Sequence, residues 1–230
     1  AGSAAFEPAS TVSQSFTVQD PFPSGTGTHD DPYQITNWNH LNAMRNDLAA
    51  HYQLANDLTA LTTGYETHAS NTANGGQGWL PIGTSGQNNY FNGSFDGGGK
   101  IITGLVINRP DLDYVGLFGY WIPPVSSDGE TPAQIKDIGL RDVTIVGGKY
   151  TGALIGQLSF GPLGFPVERA YVVGGSVSGT IAVGGLIGRS DNRKAREIFS
   201  AVDVAGQDGV GGLIGHALGS VEDCFAVSSV

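Results

Sequence analysis

The sequence predicts an all-β protein organised as a β-solenoid with one short capping helix towards its N-terminal end. Three observations predict it. Glycine supplies 36 of the 230 residues, about twice the usual share, without the strict third-residue period of collagen. A glycine-centred phrase then recurs four times: Val115-Gly116-Leu117-Phe118-Gly119, Gly152-Ala153-Leu154-Ile155-Gly156, Gly184-Gly185-Leu186-Ile187-Gly188 and Gly211-Gly212-Leu213-Ile214-Gly215. Each copy is followed by a second phrase, Ile135-Lys136-Asp137-Ile138, Val167-Glu168-Arg169-Ala170, Ala195-Arg196-Glu197-Ile198 and Val221-Glu222-Asp223-Cys224. Strand-sized pieces repeating at roughly 30 residues are the signature of stacked β rungs.

Three regions follow in chain order. Residues 1–35 are rich in Ser, Thr, Pro and Gly and read as an extended leader, with the alternating stretch Ser15 to Gln19 as a candidate exchanged strand. Residues 36–90 read as a cap. In it, Trp38, Leu41, Met44 and Leu48 fall on one helical face behind an Asn or Thr cap, predicting a helix over 38–49. A strand follows from Tyr52 to Leu58, then a long loop from Thr62 to Asn89 with the apolar anchor Trp79 to Ile82. Residues 91–230 hold the rungs.

Stacking makes equivalent positions form columns. Leu117, Leu154, Leu186 and Leu213 form one apolar column; Ile135, Val167, Ala195 and Val221 form a second, and Ile138, Ala170, Ile198 and Cys224 a third, all predicted to face inward. Between the last two run Lys136, Glu168, Arg196 and Glu222, whose charges alternate at every step, beside Asp137, Arg169, Glu197 and Asp223, which alternate except at the last. Opposite charges on adjacent strands attract, so an outward charge ladder is expected. The recurrent glycines are expected to serve positive-φ corners or close approach of neighbouring backbones.

Composition removes several function classes. With 21 Asp and Glu against 11 Lys and Arg, net charge −10, the chain lacks the positive surface that nucleic acid or an anionic membrane requires. A single cysteine closes no internal disulfide, and no apolar run reaches the ~20 residues of a membrane span. The start Ala1-Gly2-Ser3-Ala4-Ala5 suits the new end left by a signal peptidase, which predicts export.

Gly25-Thr26-Gly27-Thr28, Asp31-Pro32-Tyr33-Gln34-Ile35, His51-Tyr52-Gln53-Leu54, Gly78 to Gly83 and Phe91 to Leu105, followed by the Gly-Gly-Leu-Ile-Gly phrases, resemble bacterial and archaeal surface proteins with GLUG-motif repeats. These include adhesins and the repeat regions of immunoglobulin A1 proteases. The resemblance spans roughly residues 25–230. It implies a right-handed solenoid, an extracellular or cell-surface location and a scaffold role without catalysis.

The residues themselves agree on catalysis. The five histidines are scattered, no Gly-x-Ser-x-Gly elbow occurs, and no carboxylates form a same-sign column over three rungs, so no catalytic residue and no cofactor is predicted. Calcium is the one candidate ion, through Asp30 and Asp31 or Asp111 and Asp113; turn capping is the alternative role for these residues. Tyr90, Tyr114, Tyr120 and Trp121 are candidate glycan contacts, with burial under its loop the alternative for Trp121. Arg189, Arg193 and Lys194 could grip an anionic partner or form a solvated corner. The chain stops within a strand of the fourth repeat. This predicts either further repeats of the same protein or self-association, with the leader added to an open end as a strand.

Overall fold

The computed structural model describes residues 21–86, 89–124, 133–159, 165–191 and 194–230. It is nearly all β, and every strand pair in it is parallel. One long sheet runs in chain order through Tyr33–Ile35, His51–Leu54, Ser94–Thr103, Ile135–Val146, Val167–Ser178, Ala195–Ala205 and Val221–Glu222. A second sheet stacks Phe118–Trp121, Ile155–Leu158, Ile187–Ser190 and Ile214–Ala217, and a third pairs Ile181–Gly184 with Asp208–Gly211. Each strand therefore lies beside its counterpart one repeat away, an arrangement that fits a β-helix.

The register matches the repeat alignment residue for residue. Ile135 lies beside Val167, Val167 beside Ala195 and Ala195 beside Val221. The same column continues backwards through Phe95, Tyr52 and Tyr33. Leu117, Leu154 and Leu186 are fully buried, as are Ile135, Val167 and Ile198. The fourth copy differs: Val221 is 48% exposed and Leu213 and Cys224 are half-buried, because no later rung among the described residues covers them.

The expected outward charge ladder forms in part: Glu168–Arg196 and Asp137–Arg169 pair between neighbouring rungs, and Glu168 is buried between its partners and does not face outward. Lys136 Nζ lies 3.4 Å from Asp96, and Arg196 pairs with Glu168. Arg169 donates to both oxygens of Asp137, at 2.5 and 2.9 Å, and also lies 2.9 Å from Glu168. Lys194 approaches Glu222 at 4.0 Å.

The corners correct one part of the glycine expectation. Two columns of left-handed residues run along the stack, and most of their members are not glycine. Asp137, Arg169, Glu197 and Asp223 form one, with φ between 48° and 53°; Tyr114, Tyr150, Ala182 and Gly209 form the other, with φ between 53° and 64°. The phrase glycines serve close approach instead. A Cβ on Gly188 would sit 2.5 Å from Thr151 N and 2.6 Å from Gly156 O, and one on Gly156 would sit 2.5 Å from the Tyr114 carbonyl carbon. Real Cβ atoms do not approach backbone so closely, so each rung admits only glycine there.

Towards the N-terminal end, Asn37 caps the helix Trp38–Ala43 by accepting from His40 N at 2.9 Å. A 3-10 turn, Met44–Asn46, continues it, so the helical segment is shorter than the 38–49 expected. Asp47 ends it in extended conformation while Trp38, Leu41 and Met44 are fully buried. The predicted strand from Tyr52 to Leu58 is shorter too, His51–Leu54 with a single bridge at Leu58. The region expected as a long loop contains a short helical turn at Tyr65–His68 and a turn at Ala73–Gly76 whose Asn74 and Gly75 are left-handed, and Trp79 in it is fully buried. The candidate leader strand Ser15 to Gln19 lies outside the described residues.

Candidate functional site

The left-handed corner at Tyr114 and Tyr150 turns two aromatic side chains to one flank. Val115 and Thr151 form a parallel bridge, which sets the two tyrosines side by side with ring centroids 5.2 Å apart. Tyr120, at the start of the second sheet, adds a ring 5.4 Å from Tyr114, and Tyr90 adds one 6.4 Å from Tyr120. Four tyrosines thus form a continuous half-exposed row. Burial raises the Tyr114 phenol pKa above the ordinary value, and the nearby Tyr150, Tyr120 and Asp113 add to this against a hydrogen bond from Ser85, so it stays neutral at physiological pH.

Arg189 closes the row. Its guanidinium lies 5.3 Å from the Tyr150 ring centroid, and Nη1 donates to Tyr150 Oη at 3.4 Å. The second sheet fixes its position, because Tyr120, Gln157, Arg189 and His216 occupy one register column. Asp191 holds the guanidinium from beneath, accepting from Nε at 2.7 Å, and this hydrogen bond raises the Arg189 pKa against burial. Asp191 Oδ2 accepts in turn from Gln157 Nε2 at 2.7 Å and from Ser159 Oγ at 3.1 Å, and all three of these side chains are buried. A buried network satisfied in this way orients the half-buried cation.

At the Tyr114 end lies a cleft of about 230 Å³ lined by Pro81, Thr84, Ser85, Asp111, Asp113 and Tyr114, among others. Asp113 Oδ1 accepts from Lys149 N at 2.8 Å, which ties its loop to the next rung. Asp30 pairs with His29 at 3.1 Å, and the Asp31 carbonyl accepts from Thr26 N and Gly27 N in a turn. Among the described residues no three His, Cys, Asp or Glu side chains converge, so the four candidate calcium carboxylates are not gathered into a ligand set.

The structure therefore brings Tyr90, Tyr114, Tyr120 and Arg189 together, with Asp111 and Asp113 in the cleft beside Tyr114, and places Asp30, Asp31, Trp121 and Lys194 elsewhere. Trp121 is corrected as a contact residue: it is fully buried, and its Nε1 donates to Gly93 O at 3.1 Å. Lys194 lies elsewhere, 5.5 Å from the Phe165 ring that Arg196 also covers at 4.6 Å. Arg193 lies outside the described residues. Sequence reading missed Tyr150, although it stands two residues before Gly152 as Tyr114 stands two before Gly116. It also missed Asp191 and Gln157, which carry no repeat signal of their own.

No protein-family model matches the chain. Over 187 residues, 79% of its length, it is 32% identical to halomucin of Haloquadratum walsbyi, of which it spans 2%. Over 100 residues, 43% of its length, it is 42% identical to a protein of Evansella cellulosilytica provisionally named a Gly-rich membrane protein, of which it spans 10%. The chain thus corresponds to a small part of each of these relatives. Among solved structures it is similar to a provisionally named immunoglobulin A1 protease from Bacteroides ovatus, with a TM-score of 0.59, 16% identity, and coverage of 88% of this chain and 77% of that one. At that identity the likeness shows a shared fold alone.

Proposed function

We propose that the chain is a non-catalytic module of an exported, extracellular or cell-surface protein: a right-handed β-solenoid of the GLUG-repeat kind that serves adhesion or structural assembly. The observation that carries this reading is the agreement of apolar, charged and left-handed columns along successive rungs, which commits the repeated residues to stacking. The relatives' names, halomucin and Gly-rich membrane protein, are those of surface-type proteins and support the location. The reading assigns no catalytic residue and no cofactor. Residues 1–35, 36–90 and 91–230 serve in it as leader, cap and rungs.

The assembly part rests on the last described rung, where Leu218, Val221 and Phe225 are 58%, 48% and 59% exposed. Further repeats of the same protein, or the leader strand of a second copy, would cover them. Sedimentation velocity on the full chain tests the second of these. Concentration-dependent oligomers that Phe225→Ser weakens are expected; monomers at all concentrations would remove self-association.

The tyrosine row favours a second reading, a carbohydrate-binding or polysaccharide-active β-helix module, because aromatic faces stack on the C–H faces of sugars. On a glycan array, a bound glycan should lose at least about tenfold in affinity with Tyr114→Ala or Tyr150→Ala, the effect of losing one stacked ring. No bound glycan, or binding indifferent to both changes, rejects this reading. A reducing-end assay decides between binding and cleavage.

A further inference from the structure

A cleft of about 380 Å³ lies where the N-terminal segments meet the long sheet, and it shares no lining residue with the tyrosine row. That size falls within the ~300–1,000 Å³ of small-molecule sites. Its floor comes from three neighbouring strands in register: His51 lies beside Ser94, Gln53 beside Asp96, and Asp96 beside Lys136. Its wall is His29 and Asp30, with the His29 ring 5.6 Å from that of His51 and nearly perpendicular to it. The polar groups are fixed before any ligand arrives. Lys136 Nζ is 3.4 Å from Asp96, and Gln53 Oε1 accepts from Gln34 Nε2 at 3.2 Å.

This chemistry selects its ligand. Asp96 and Lys136 stand side by side and Asp30 adds a second carboxylate at the wall, so an anionic ligand meets two like charges and a cationic one still meets the Lys136 ammonium. A hydroxyl suits both, because it donates to the carboxylate and accepts from the ammonium. Gln53 and Gln134 extend the row with amides, which also combine donor and acceptor. We propose that this cleft binds a neutral saccharide unit through adjacent hydroxyl groups. The proposal stands apart from the carbohydrate reading of the tyrosine row, since the two surfaces use different residues.

The test is an NMR titration of the isotope-labelled full chain with galactose, mannose, N-acetylglucosamine and glucuronate, each to about 20 mM, which covers millimolar affinity. Saturable shifts at Gln53, Asp96, Lys136 and the His29 and His51 rings are expected with at least one neutral sugar. Binding should weaken at least tenfold in Gln53→Ala and Lys136→Met, whose spectra report that the fold is retained, and should be unchanged in Leu61→Ser, at an exposed residue that lines neither surface. No saturable shift at these residues, an unchanged affinity in both cleft variants, or tighter binding of glucuronate than of every neutral sugar overturns the proposal. Shifts confined to the tyrosine row overturn it too, while leaving the carbohydrate reading of that row intact.

Discussion

Gly188 and Glu168 carry most of what single residues contribute to this stack. Gly188 has ordinary φ, and its role is the absent side chain: a methyl group would press on the backbone of Thr151 and Gly156 in the previous rung. Gly188→Ala is expected to lower stability by about 1–3 kcal/mol, the range for overpacking. Gly86→Ala should be neutral, since its added methyl would meet only side-chain atoms at 3.5 Å and beyond; denaturant midpoints compare the two. Glu168 lies almost fully buried between Arg169 and Arg196. Burial pushes its pKa up, but the hydrogen bond from Arg196 and the two guanidinium charges overcome this and hold it below the ordinary value. Asp137 is also held low, first by its hydrogen bond from Arg169. Folded pKa values below the unfolded ones stabilise the protein above the unfolded range and lose that contribution as pH falls through the folded values. The unfolding midpoint should hold from neutral pH to about 5 and fall below about 4.3. Glu168→Gln with Asp137→Asn should be less stable at neutral pH and show a shallower acid decline; an unaltered decline contradicts the assignment.

Between residues and the whole lie the strands and corners. The left-handed column Asp137, Arg169, Glu197, Asp223 joins backbone and charge, since its φ values lie near 50° and its first two members pair between neighbouring rungs. Left-handed backbone costs a non-glycine residue about 1–2 kcal/mol, so the ion pairs offset part of the strain they sit on. A double-mutant cycle on Asp137→Ala and Arg169→Ala should give a coupling of about 0.5–1 kcal/mol that shrinks in high salt; zero coupling at low salt would show the bidentate pair to be idle. How much of this the sequence discloses depends on repetition. Strand register is legible because Lys136, Glu168, Arg196 and Glu222 alternate in step with Ile135, Val167, Ala195 and Val221. The left-handed backbone at Asp137 is not, because charge alternation already accounts for that column and glycine draws attention to itself as the corner residue. The tyrosine row is half legible: Tyr114 and Tyr150 repeat, whereas Asp191 and Gln157 meet only through folding. Nothing in the sequence points to the saccharide cleft, since His29 and His51 come from segments outside the repeat and only folding brings them to Lys136, whose place in the charge column already accounts for it. Trp121 was open to either role from sequence, and the carbonyl of Gly93, 28 residues upstream, decides for burial.

The whole molecule follows from one geometric rule, that each repeat lies directly on the last with its strands parallel. That rule sets the apolar interior, aligns the charges, excludes side chains at the phrase glycines and assembles the tyrosine row. It also separates the scaffold from the surfaces able to make contacts: the flank, the cleft near the N-terminal end and the outer edge of the last described rung. Parallel neighbours are about 4.8 Å apart, so distance along one column counts rungs. Gln53, Asp96, Lys136, Glu168, Arg196 and Glu222 share one register column; Glu168 is buried in it, whereas Gln53, Arg196 and Glu222 are half-exposed or exposed and accept labels. The decisive measurement is pulsed electron–electron spin resonance on nitroxide pairs placed in a Cys224→Ser background, with one label at position 53 and the other at 196 or 222. In-register stacking predicts narrow distributions centred near about 19 and 24 Å, one strand spacing apart. Broad distributions, or a distance that fails to increase from 196 to 222, would contradict the account.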